Sequence, residues 1–181
     1  TIKSLAFKSH SFEPVIGTLP QGYFSSIELG ADFYSGGVII EMPGERIRVT
    51  DLEWVLPKIH QRSTELLISA VLPLVQGILE KTITVDVKTE RVKLTYDFQP
   101  FERPQGVVRV GIVTLLPESF SLPLAVSCVN GGQEAELFQL DSVVNHGRAA
   151  STLVSSTSAL GATDGRLVIE DAGERRLVLT W

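Results

Sequence analysis

The 181 residues carry 21 acidic against 16 basic side chains, a net charge of −5, with 44% hydrophobic and 20% charged residues. That balance excludes a disordered chain and supplies one domain, or at most two small ones, with enough apolar side chains for a sizeable core. The basic residues are scattered and the one local pair, Arg175-Arg176, follows Glu170, Asp171 and Glu174, so nucleic-acid binding is not expected.

Period-two alternation dominates from the start of the chain. Strands are predicted over residues 2–8, 24–29, 37–41 and 46–49, separated by turn signals such as Gly36-Gly37 and Pro43-Gly44. Thr50-Asp51-Leu52-Glu53 has the form of a capping box, which predicts a short helix that Pro57 would stop. Residues 63–72 fit a helix or a buried strand equally well, since periodicity does not separate the two. The apolar run over residues 66–79 is interrupted by Ser69, Pro73, Gln76 and Gly77, and it is too short to cross a bilayer. It reads as protein core, and no membrane association is expected.

The clearest element is a hairpin. Lys81-Thr82-Ile83-Thr84-Val85-Asp86-Val87 places Ile83, Val85 and Val87 on one face, Lys88-Thr89-Glu90 turns, and Val92, Leu94, Tyr96 and Phe98 align on the return. Further strands are predicted over 107–116, 124–129 and 135–140. A second hairpin runs over 166–170 and 175–181, turning through Asp171-Ala172-Gly173-Glu174. In its last strand Leu177, Leu179 and Trp181 share a face, and an inward aromatic at a chain end needs a packing partner. The chain therefore reads as an accessory piece of a larger protein, with an open sheet edge at which two copies could pair. Many short strands and hardly any helix predict an all-β antiparallel sandwich, a single domain over 1–181 with at most one or two short helices.

The common catalytic signatures are missing. Gly17-Thr18-Leu19-Pro20-Gln21-Gly22 lacks the Lys-Ser/Thr of a phosphate loop, and His10, His60 and His146 are too far apart in sequence for a zinc motif. No metal or cofactor is expected. Cys128 is the only cysteine, which excludes an internal disulfide and favours a reducing, cytoplasmic compartment. It sits in an apolar run and reads as core.

Sugar chemistry is the remaining thread. A carboxylate accepts hydrogen bonds from hydroxyls while an aromatic ring stacks on the C–H face of a sugar, so Asp32, Tyr34 and Trp54 are the carbohydrate-binding candidates. For Asp32 and Tyr34 the competing reading is a strand end with a turn-capping Asp. For Trp54 it is a buried core indole beside a cap. Asn145-His146-Gly147-Arg148 is the most enzyme-like stretch, but His146 has no identifiable partner in the sequence.

Tyr34-Ser35-Gly36-Gly37-Val38-Ile39-Ile40-Glu41 followed by Val49-Thr50-Asp51-Leu52 resembles the opening of the galactose-mutarotase-like β-supersandwich, which follows the catalytic barrel in some α-glucan and α-mannoside hydrolases. Leu79-Glu80-Lys81-Thr82-Ile83 leading into Val92-Lys93-Leu94-Thr95-Tyr96 is similar to a strand pair of that domain. His146-Gly147 and residues 159–167 fit its later strands. The resemblance implies a supersandwich, incomplete at this length, that packs on the catalytic domain of the same parent chain and is itself not catalytic. Oligosaccharide is the implied ligand. A mutarotase would use a His with a Glu, and here only His146 fits that role. The alternatives are an aldose mutarotase or epimerase built on His146, and a protein-interaction sandwich with no sugar role.

Overall fold

The computed structural model describes residues 1–10, 13–24, 29–141 and 162–181. In chain order the strands are β1 (Ser4–Ala6), β2 (Pro14–Phe24), β3 (Leu29–Tyr34), β4 (Gly37–Met42), β5 (Ile47–Thr50), β6 (Lys58–Arg62), β7 (Glu65–Leu74), β8 (Gly77–Asp86), β9 (Arg91–Phe101), β10 (Val107–Ile112), β11 (Thr114–Leu115), β12 (Leu124–Val129), β13 (Ala135–Leu140), β14 (Arg166–Asp171) and β15 (Arg176–Thr180). Two single 3₁₀ turns, Lys8–His10 and Pro117–Ser119, are the only helical segments among the described residues. The protein is all-β, as its alternation predicts. No described helix is long and apolar enough to cross a membrane.

The chain divides into two compact units. The first comprises Thr1–Phe7, Ile16–Leu19 and Phe33–Thr114, and the second Lys8–Val15, Pro20–Asp32 and Leu115–Trp181. A small sheet has the order β1-β2-β11, with β3 also paired to β2. β2 runs straight through the Gly17–Gly22 segment, where Gly and Pro had hidden a strand from the sequence.

The first unit is a sandwich of two antiparallel sheets, β10-β4-β5 and β6-β7-β8-β9. Val38, Ile40 and Met42 from β4 pack against Leu72 of β7 and Leu79 of β8, flanked by Val49, Val55, Tyr96, Phe98 and Phe101. Burying each large aliphatic is worth roughly 1.5–3 kcal/mol, so this cluster dominates the unit's stability. The 81–98 hairpin forms as predicted. Ile83 faces Leu94 and Val85 faces Val92 on the dry side, while Thr82 faces Thr95 and Thr84 faces Lys93 on the wet side. Its turn begins one residue earlier than predicted: β8 ends at Asp86, whose carboxylate accepts from the Lys88 and Thr89 amides, and Val87 is exposed.

The second unit carries the sheet β13-β12-β14-β15. Val126, Cys128, Val168 and Ile169 are the buried hydrophobic side chains of that sheet, and Asp171 is buried with them. The 166–181 hairpin forms with Leu167 opposite Leu179 and Ile169 opposite Leu177. Trp181 itself is exposed.

Two sequence expectations change, and one reading left open is decided. No helix starts at Thr50. That residue pairs with Ile39 in the β4–β5 ladder, and the Asp51 amide donates to the Val38 carbonyl, so the ladder claims the groups a helix start would need. Residues 65–72 of the ambiguous 63–72 segment are strand, paired with β8, and Ser63-Thr64 make the turn from β6. The strand predicted over 107–116 is broken. Gly111 adopts φ 72° at a register shift between Val110 and Ile112, and the ladder ends there before β11 begins.

Candidate functional site

Asp51 leaves β5 and turns inward. Its Oδ1 accepts from the Val38 amide at 2.9 Å, and its Oδ2 lies 2.6 Å from Lys81 Nζ. Lys81 is on β8 of the facing sheet, at a dry-face position directly opposite Tyr96 of β9. The ammonium sits 5.5 Å from the centre of the Tyr96 ring, and the Tyr96 hydroxyl donates to the Gly36 carbonyl at 3.0 Å. Burial, with the Asp51 charge adding to it, pushes the Tyr96 phenol up to about 12. Gly36 holds φ 71°, a conformation that glycine adopts without strain, and this presents its carbonyl to Tyr96.

Four stretches of sequence thus meet at one buried ion pair: the Gly36-Gly37 turn, the Thr50-Asp51 step, Lys81 and Tyr96. They lie within four of the stretches that carry the supersandwich resemblance, and its later stretches, His146-Gly147 and residues 159–167, are not among them. The alternation predicts Lys81 on a hairpin, and the Thr50-Asp51-Leu52-Glu53 pattern predicts Asp51 at a helix cap. Neither was expected to be buried, and the alternation of β8 is the one signal that could have shown Lys81 facing the core.

The segment that follows Asp51 carries the first candidate ligand residue. Trp54 is not core: its side chain is 84% exposed. Val55 behind it packs on the core cluster, Leu56 is exposed, and the chain enters β6 at Lys58. The Trp54 segment is therefore held at one end by the buried Asp51, in its middle by Val55 and at its far end by β6. An indole on such a tethered support loses little freedom when it stacks on a ligand.

The other candidates fall differently. Tyr34 closes β3 and is half-buried. Its carbonyl lies only 3.2 Å from where a side-chain carbon at position 37 would stand, which is why glycine follows there. Asp32 is on β3, but its side chain lies outside the described residues, as does all of His146. His60 is exposed on β6. Cys128 is buried, and burial pushes its thiol up, so it is core. No group of three or more His, Cys, Asp or Glu able to hold a metal ion occurs among the described residues.

A second polar centre is in the other unit. Asp171 accepts from the amides of Ser121, Gly173 and Arg175 and from Arg175 Nε, with no exposed side-chain surface. Burial raises its carboxyl, but these donors and the Arg175 charge outweigh that and hold it below the ordinary value. Every partner is internal, and the centre closes the β14–β15 turn.

No family model matches the chain, and neither the curated proteins nor the solved structures contain a match to it.

Proposed function

We propose that this chain is a non-catalytic, carbohydrate-associated β-sandwich domain of the kind that accompanies glycoside hydrolase barrels, with Trp54 as its stacking platform. The observation that carries the reading is the 84% exposure of the Trp54 indole on a segment tethered by Asp51 and Val55. A large apolar ring held in water with its face free suits the C–H face of a sugar. The α-glucan or α-mannoside context rests on the sequence resemblance of residues 34–41, 49–52, 79–83 and 92–96 to the supersandwich.

Calorimetric titration with α-glucan and α-mannan oligosaccharides tests this. Trp54→Ala is expected to weaken binding at least about tenfold, which is about 1.4 kcal/mol, while Trp181→Phe leaves it unchanged. Absence of binding by the wild type, or equal binding by Trp54→Ala, would remove the proposal. A protein-interaction role is the second reading, favoured by the exposure of Leu56 and Ile59 close to Trp54 in sequence.

A further inference from the structure

β6 ends the four-stranded sheet, and among the described residues it pairs only with β7. All five of its residues are exposed. Its side chains divide cleanly. Ile59 lies opposite Ile68 on the dry face and is 62% exposed, while Lys58, His60 and Arg62 occupy every wet-face position. Neither Lys58 nor Arg62 forms a salt bridge among the described residues. The opposite edge, β9, differs: its wet positions carry Arg91, Lys93, Thr95 and Asp97, a mixture of signs. Immediately before β6 in the chain stand the exposed Trp54 and Leu56.

We propose that β6 is a docking edge for an extended acidic peptide, which adds as a fifth strand with carboxylates over Lys58, His60 and Arg62 and an apolar residue beside Ile59. An edge strand presents a row of backbone N–H and C=O groups that an incoming strand can pair, and alternate side chains then set specificity. Charge decides the occupant. A second copy pairing antiparallel about His60 would set Lys58 against a second Arg62, and like charges directly opposite are destabilising. The basic row that blocks self-pairing is complementary to an acidic strand. The inference is independent of the sugar reading, because it does not use the face of Trp54.

The test is fluorescence anisotropy with labelled short peptides on the full chain. The probes alternate Glu with Val or Lys with Val, and the Glu-Val peptide is also made N-methylated on its odd or on its even residues. Saturable binding of the Glu-Val peptide is expected, with loss in one of the two N-methylated forms, since a strand pairs through one set of alternate amides. Lys58→Glu/Arg62→Gln, two exposed changes that set no carboxylate opposite Glu65 and are expected to leave the circular dichroism spectrum intact, is expected to weaken it at least about tenfold and to turn preference toward the Lys-Val peptide. No saturable binding, equal binding of Lys-Val, unchanged affinity in the double variant, or full binding by both N-methylated peptides would each overturn the proposal.

Discussion

Lys81 Nζ lies 2.6 Å from Asp51 Oδ2, with both side chains buried, and the contact ties the inner face of one sheet to the chain leaving the other. Breaking such a pair is costly because the remaining charge is left in an apolar surrounding, whereas neutralising both members is far milder. Lys81→Met is therefore expected to lower unfolding free energy by roughly 3–5 kcal/mol. Adding Asp51→Asn, which keeps an acceptor for the Val38 amide, should restore most of it. Urea unfolding of the three proteins reads this directly, and a Lys81→Met loss below about 1 kcal/mol would show that water reaches the pair.

Asp171 sets an acid limit on the second unit. Its folded carboxyl is held below 3.8, the value of the free group, so deprotonation favours the folded state. The stabilisation is full above that free value, declines as the pH falls below it, and is exhausted once the pH passes the folded value. The melting-temperature gap between wild type and Asp171→Asn is expected to be constant from neutral pH down to about 5 and to close below about 4. A gap that persisted at low pH would mean that the carboxylate charge contributes nothing.

Gly77 opens β8 at φ 144°, and a side-chain carbon there would stand 1.7 Å from the Pro100 carbonyl oxygen. Backbone strain and overlap act together, so Gly77→Ala is expected to cost at least about 3 kcal/mol. Gly44 has open space around it and is the control: Gly44→Ala should stay within about 0.5 kcal/mol. Equal melting temperatures for the two variants would contradict the close approach of Gly77 to the Pro100 carbonyl.

Cys128 is 3% exposed and its thiol is pushed up by burial, with Glu136 and Asp164 adding to the effect. A thiol reagent is expected to label it only as the second unit unfolds, so the labelling rate should rise with urea in step with loss of β-structure. Prompt labelling of the native protein would place the thiol at the surface.

Amphipathic alternation made the two hairpins legible, because on a half-buried strand the period-two pattern and the pairing register are one constraint: Ile83 opposite Leu94 half-buries both, and a one-residue slip would turn both to the wet face. Gly36-Gly37 and the Asp171–Glu174 turn were legible for a similar reason, since local chain geometry demands those residue types. The segments that misled were those where local signals compete with the ladder. The Thr50 cap lost to pairing with Ile39, and the Gly and Pro of β2 hid a strand that its neighbours hold extended.

The all-β class, the wet and dry faces of the 81–98 hairpin and the candidacy of Trp54 as an aromatic near an acid follow from the order of residues alone. That Trp54 faces water while Lys81 does not follows from packing. A strand pattern says which face a side chain takes, but not whether another sheet covers that face. Here the partner that covers Lys81 is Asp51, thirty positions away in the chain and supplied by the facing sheet. Charge on a dry face is tolerated only where such a partner arrives, and that is a property of the packed sandwich rather than of either strand.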